Sequence, residues 1–350
     1  MTESNFPVAA RSLSDQTPCD QPPERPVGTQ PLRINGLRSA SIIAIHVLAL
    51  AAFVPWLFSW TGLILVLIGH HAFGMLGITL GYHRLLTHGA LKCPKWFERL
   101  LATLGVCCLQ DTPARWVAIH RMHHQHSDKQ NDPHSPAAGF FWGHVGWLLY
   151  QNRDHLSLTN CDRYANDILR DPYYFWLERG INAVLLYVLH AIAFFVIGLG
   201  IGWTSSGGLV EGLRFGLSLV VWGVVVRTVV VWHVTWAVNS FTHVSGYQNY
   251  ETREHSHNNW IVALLSHGEG WHNNHHAKPR CANNGHRWWE FDLTFQTIRL
   301  LQAVGLATQV VSLVADRTDD TGRTLFPFGG LRNRSRQSQD DRGHSSGKAA

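Results

Sequence analysis

No two of the six cysteines, at 19, 93, 107, 108, 161 and 281, have the C-x-x-C spacing. A zinc ribbon and a four-thiolate iron–sulfur site are therefore excluded. Cys107 and Cys108 lie in an apolar run and read as small core residues, so no oxidising compartment is implied. The first 36 residues lack the apolar stretch of a signal peptide. The formal charge of +5 comes with no basic helix and no Lys/Arg stripe interleaved with aromatics, which argues against nucleic acid as a partner. No haem, flavin or iron–sulfur module is recognisable.

What is present is unevenly distributed. A mean hydropathy of −0.06 averages over strongly apolar blocks and strongly polar segments. The 350 residues include 23 His and 15 Trp, residue types favoured at metal sites and at membrane interfaces respectively. Residues 1–36 and 316–350 are polar and Pro-, Ser- or Gly-rich, and are expected to be disordered tails. Between them, blocks at about 39–58, 61–82, 182–203 and 213–238 each reach the ~20 residues that cross ~30 Å of hydrocarbon. The expected fold is an all-α integral membrane protein. Four transmembrane helices form two hairpins in a domain spanning 37–315, beneath a cap made of 83–181 and 239–315.

The links at Ser59–Thr61 and Thr204–Gly208 carry no Lys or Arg, whereas the tails and cap segments carry nearly all of them. The positive-inside bias then places both termini and the cap in the cytoplasm, with a bacterial inner membrane as the expected location. Arg227 falls inside the fourth block, where it either pairs within the bundle or contacts substrate. His46, His70, His71 and His190 also fall in or near spans and read as hydrogen-bonded within the bundle.

Three histidine islands share one side of this topology: HRLLTH from His83, HRMHH from His120 and WHNNHH from Trp271. His120, His123 and His124 stand at i, i+3 and i+4, within about 100° of one helical face. His272, His275 and His276 repeat that spacing, which suits two adjacent metals sharing the helix faces. His83 and His88, five apart, diverge on a straight α-helix and are expected to straddle a bend at the end of the second span. Asn239 and His243 share a face at the end of the fourth. His126, His134, His144, His255, His257, His267 and His286 read as supporting or surface residues, and Asp128 and Asp132 as partners that orient the imidazoles.

Imidazole suits iron, zinc, copper or nickel. The number of ligands exceeds one four-coordinate zinc and matches two irons. A metal transporter or a transmembrane haem protein are the alternatives of a different class.

HRLLTH, HRMHH and WHNNHH together resemble the three histidine boxes of the membrane fatty-acid desaturases. GITLGYHRLLTH, WVAIHRMHHQHSD, NDPHSP, HVGWLL, TWAVNSFTH, NNWIVALL and GEGWHNNHHA are similar to the acyl-CoA (stearoyl-type, Δ9) branch and its bacterial relatives, over roughly 37–305. The resemblance implies a di-iron, dioxygen-dependent desaturase that places a cis double bond in a saturated acyl chain. Two electrons would come from an external donor such as ferredoxin, rubredoxin or a cytochrome with its reductase.

The implied ligands are His83, His88, His120, His123, His124, His243, His272, His275 and His276, with Asn239 reaching one iron through water. The implied acyl tunnel passes Gln110, Trp116, Thr235 and Trp236. Ala118, Ile119 and Gly89 depart from the pattern, since Arg and Asp contact coenzyme A at the first two positions and Arg is common at the third. Acyl-CoA is the expected substrate, with an acyl-lipid or an acyl-carrier-protein ester as alternatives. A hydroxylase or other oxidase on the same scaffold is the nearest rival activity.

Overall fold

The structure, a computed structural model, describes residues 25–313 apart from Ser157. Positions 1–24 and 314–350, which include most of both expected tails, lie outside the described residues. Every regular element described is helical, and the strand-like pairings are isolated bridges such as Ile34 with Tyr150.

Four helices are long and apolar enough to cross a bilayer: α1 (Gly36–Phe53), α2 (Trp60–Thr87), α7 (Asn182–Ser205) and α8 (Leu209–Phe241). The first stops short of its apolar run. Pro55 has no N–H to continue the ladder and holds Val54 extended, at φ −77° and ψ 114°. The second and fourth run past the ends of their apolar blocks to Thr87 and Phe241, and this carries His83 and Asn239 on continuous helix. Because 54–59 and 206–208 are short, each pair is antiparallel and everything between α2 and α7 emerges on one side.

The bundle is held by close approach and by hydrogen bonds that water cannot replace in hydrocarbon. A Cβ on Gly198 of α7 would stand 2.7 Å from the Cα of Gly216 on α8. The Ser59 hydroxyl accepts from the Gly62 N–H, capping α2, and lies 2.8 Å from the Ser218 hydroxyl of α8. Arg227 is fully buried. Its guanidinium donates to the carbonyls of Cys107 (2.8 Å) and Gly223 (3.2 Å), meets His190 Nε2 at 2.9 Å, and lies 4.2 Å from the centre of the Phe73 ring. Of its two expected placements, the structure shows pairing within the bundle.

The cap is continuous with the spans. α3 (Lys95–Val106), α4 (Pro113–His126), α5 (Leu158–Leu169) and α6 (Pro172–Glu178) follow α2. Ile78, Tyr82 and Leu86 of α2 form one buried cluster with Ala102 and Val106 of α3, Val117 of α4, Tyr174 and Leu177 of α6, and Val231 of α8. After α8 come three short helices, α9 (Trp260–Leu265), α10 (His272–Ala277) and α11 (Leu293–Ala303). Residues 25–35, from the expected N-terminal tail, are seated on the cap. Asn35 N–H donates to Leu149 O, Gln151 N–H donates to Arg33 O, and Arg25 lies over the Trp142 ring.

Candidate metal centre

From His70 to Thr87, α2 is wound as a π-helix, a form frequent at functional sites. Its i→i+5 bonding widens the turn and brings residues five apart closer to one face than an α-helix does. The His88 N–H donates to His83 O (3.2 Å), and the two rings lie 4.8 Å apart. The pair therefore converges through winding, where the α-helical spacing predicts divergence and a bend. α4 and α10 deliver the other two boxes on regular turns, and His243 stands just beyond α8.

The nine histidines gather into two groups. Potential ligand atoms of His83, His88, His120, His124 and His275 lie within 4.8 Å of one another, as do those of His123, His243, His272 and His276. In the first group the Nε2 atoms run His83–His275 (3.1 Å), His275–His124 (2.9 Å) and His124–His120 (3.1 Å). In the second they run His123–His276 (3.3 Å), His276–His272 (3.0 Å) and His272–His243 (3.1 Å).

Carboxylates hold the outer edges of these rings. Glu269 accepts from His83 Nδ1 at 2.7 Å, Asp132 from His123 Nδ1 at 2.9 Å, and Asp128 from His243 Nδ1 at 3.0 Å; Glu254 lies 3.4 Å from His276 Nδ1. A proton held on Nδ1 leaves the Nε2 lone pair bare. Nitrogen lone pairs facing one another at 3 Å repel, and a cation between them removes the conflict. His88 Nε2 is buried with no hydrogen-bond partner, an arrangement that otherwise costs about 1–3 kcal/mol. The donor set therefore fits two metal ions, with five and four imidazoles.

Electrostatics favour the ligand form. Burial, followed by mutual repulsion, pushes the His88, His120, His124, His272, His275 and His276 imidazoles well below their ordinary range. His123 falls to about 3, through burial and then His243. These rings are neutral at physiological pH, as metal binding requires. Burial also lowers His243, but the hydrogen bond and charge of Asp128 outweigh it and raise the ring.

Glu269 is itself fixed. Burial raises its carboxyl, yet Arg84 and His83 overcome this and hold it at about 2. Arg84 donates to Glu269 through Nε (3.1 Å) and Nη2 (2.8 Å), and through Nη1 to Asp292 (2.8 Å) and Ala282 O (2.7 Å).

Beside the metal groups a cavity runs back between α2 and α8. Ile78, Val231, Val234 and Val238 line its wall, His83, His120, His272 and Asn239 stand at the metal end, and His70 and His267 lie farther along. Trp116 and Thr235 line it too. The Trp116 ring stacks on His120 with centroids 5.0 Å apart, and Gln110 donates to the Thr235 hydroxyl at 2.9 Å. Trp236 does not line this cavity. One helical step, ~100°, separates it from Thr235, and it packs against Trp232, His144 and His233.

Of the supporting histidines, His134 lies 4.4 Å from His123, while His144 and His233 form a hydrogen-bonded pair at 3.1 Å away from both groups. Glu254 and Glu269 were not expected from the sequence. Glu269 stands three residues before His272, in a turn where no periodicity marks its role.

The Fatty acid desaturase family model matches residues 54–306. The chain is 43% identical to the sn-1 stearoyl-lipid 9-desaturase of Anabaena variabilis over 278 residues, covering 79% of this chain and 94% of that protein. It is 42% identical to the sn-2 palmitoyl-lipid 9-desaturase of a Nostoc species over 265 residues (75% and 86%). Against an acyl-CoA 5-desaturase of Anemone leveillei the identity is 41% over 268 residues, 76% of each protein. Nine convergent imidazoles on a four-span helical frame, matched over this length, place the chain in the fatty acid desaturase family.

Proposed function

We propose that this chain introduces a cis double bond at carbon 9 of a saturated acyl chain esterified to a membrane lipid. It would act at the cytoplasmic face of a bacterial inner membrane and use dioxygen, two irons and two electrons from a separate donor. The observation that carries this reading is the pairing of a five- and a four-imidazole group with an apolar cavity that ends on them. His83, His88, His120, His124 and His275 would hold one iron. His123, His243, His272 and His276 would hold the other, with Asn239 beside them. When bound, the irons supply oxidising power, from dioxygen, sufficient to take hydrogen from an unactivated methylene.

The chain's own residues supply position. The valines and Ile78 remove water from the slot. Trp116, fixed by stacking on His120, limits where a chain can turn, and the hydrogen bond from Gln110 fixes the Thr235 hydroxyl opposite. Holding one carbon pair at the metal end selects the bond that is oxidised. No general acid or base is required; Glu269, a carboxylate that reaches the slot lining, is tied to Arg84 and His83.

Two points favour a lipid carrier. The relatives from Anabaena variabilis and Nostoc are named for lipid-bound acyl chains. Ala118 and Ile119 stand where the resemblance sets coenzyme A contacts, and both are buried apolar side chains, Ile119 against Trp142 and Trp147. Acyl-CoA is the second reading, supported by the name of the Anemone leveillei relative.

Expression in a host lacking its own Δ9 desaturase tests the proposal. It predicts a new 9-monoene in the lipids that disappears with His124→Ala and with His276→Ala. Hydroxylated chains without a new alkene would contradict it. Purified protein given stearoyl lipid or stearoyl-CoA separates the two carriers.

A further inference from the structure

Three imidazoles that belong to neither metal group meet at the far end of the slot. His70 and His71 stand on α2 and His267 on the turn after α9, with the centre of the His267 ring 4.5 Å from each of the other two. His70 and His267 line the slot. His71 is exposed on the outer side of α2, where it heads a second channel walled by Leu67, Ile68, Ala72, Met75 and Leu76. The slot leaves the node between Gly74, Ile78 and Val231, so both channels turn apolar as they depart from it.

The rings of the node offer hydrogen bonds that the chain does not use. His70 Nε2 donates to Leu265 O at 2.8 Å, and Nδ1 is left as an acceptor, buried without a hydrogen bond. His71 Nδ1 donates to Leu67 O at 2.8 Å, which leaves its Nε2 as an acceptor. Burial, followed by the His70 and His71 rings, lowers His267 to about 3, so this ring is neutral and keeps one N–H. The His267 backbone is left-handed, at φ +60°, a conformation uncommon for non-glycine residues and concentrated at functional sites. Imidazoles at the bilayer-facing surface of a span are costly and mark substrate paths. The depth suits an ester. α9 exposes Trp260, Ile261, Leu264 and Leu265, the apolar face of a helix lying in the membrane interface, and its Leu265 carbonyl is the contact of His70.

We propose that this node binds the glycerol–ester region of a two-chain membrane lipid, with the chain to be oxidised in the slot and its companion in the outer channel of α2. The proposal rests on the lipid-carrier reading and deepens it. Two apolar channels joined at a hydrogen-bonding point match a diacylglycerolipid, whereas a coenzyme A thioester has a single acyl chain. The His267 N–H donates to an ester carbonyl, and His70 Nδ1 accepts from a lipid hydroxyl. Because His70 and His83 share α2, the path from ester to metal is fixed and carbons are counted from the ester.

The test uses the full-length protein in detergent micelles. Its first readout is equilibrium binding of radiolabelled stearoyl-oleoyl phosphatidylglycerol and of the one-chain stearoyl lysophosphatidylglycerol. Ala72→Phe fills the outer channel. It should weaken the two-chain lipid at least about tenfold, the worth of two buried methylenes, and leave the lyso lipid unchanged. His267→Gly, which accepts the positive φ, should weaken both lipids about three- to tenfold, the worth of one hydrogen bond. His267→Asn also accepts that φ and keeps an N–H, so it should recover most of the loss. Iron content should be unchanged in all three. An Ala72→Phe loss shared equally by the lyso lipid, or unchanged two-chain binding in Ala72→Phe or in His267→Gly, would overturn the proposal. A single turnover of the iron-loaded, dithionite-reduced protein, in which the irons and the acyl chain each give two electrons to dioxygen, separates the two readings. The expected binding pattern without any alkene would reject the desaturase reading and uphold the lipid node.

Discussion

Replacing Glu269 with Gln removes one charge from a buried ionic cluster and changes almost no volume. The carboxylate accepts four hydrogen bonds from three residues: two from Arg84 on Oε1, and one each from His83 Nδ1 and Asn284 Nδ2 on Oε2. An amide keeps one accepting oxygen. If that oxygen stays on Arg84, the NH2 faces His83 Nδ1, and the ring must move its proton to Nε2, where it blocks the lone pair aimed at the metal. If the amide turns over, it faces Arg84 with a donor instead.

Loss of such an orienting partner weakens a metal site 10- to 100-fold, or about 1.4–2.7 kcal/mol at 1.36 kcal/mol per tenfold. Removing one member of a buried ion pair costs ~3–5 kcal/mol of folding stability, and Asp292, still on Arg84, puts the expected loss at the lower end. The assay is retained iron after dialysis against chelators of graded strength, run alongside thermal unfolding. Glu269→Gln should lose about half its iron to a chelator that leaves the unaltered protein intact, and should unfold at a lower temperature. Iron retention and unfolding both unchanged would refute the assignment of Glu269 as the residue that sets the His83 tautomer.

Three further outcomes follow from the geometry. His124→Ala and His276→Ala each remove a donor from a different group, so each should lower iron by about one equivalent and abolish alkene formation; loss of both irons in either variant would show that the groups are not separable. Trp116→Ala opens the slot beside His120 and should spread the double bond over neighbouring positions, read by mass spectrometry of derivatised products, with iron content unchanged. Gly77→Ala would set a Cβ 2.4 Å from the Gly105 backbone nitrogen. The overpacking between α2 and α3 should cost ~1–3 kcal/mol, measured as reduced thermal stability and yield.

Much of the frame was legible because hydrocarbon imposes a length and an apolar composition that a sequence displays directly. The second and third boxes were equally legible, since i, i+3, i+4 is a face of any α-helix and both helices are regular. The first box was harder. His83 and His88 meet only because α2 is π-wound, and periodicity read at 3.6 residues per turn places them apart. Thr235 and Trp236, adjacent in sequence, were expected to share one tunnel, yet a single helical step turns Trp236 toward His144 and His233. Glu254 and Glu269 lie on loops whose course is set by tertiary contacts with Arg84, Asn284 and His276, and no local pattern announces them.

The central claim is that nine imidazoles from four parts of the chain hold a pair of irons, and metal analysis with Mössbauer spectroscopy of protein grown on iron-57 tests it most directly. The account predicts close to two non-haem irons per chain in nitrogen-rich surroundings. Protein from iron-replete cells that is folded yet carries no stoichiometric iron, or a single iron that His276→Ala leaves untouched, would contradict it.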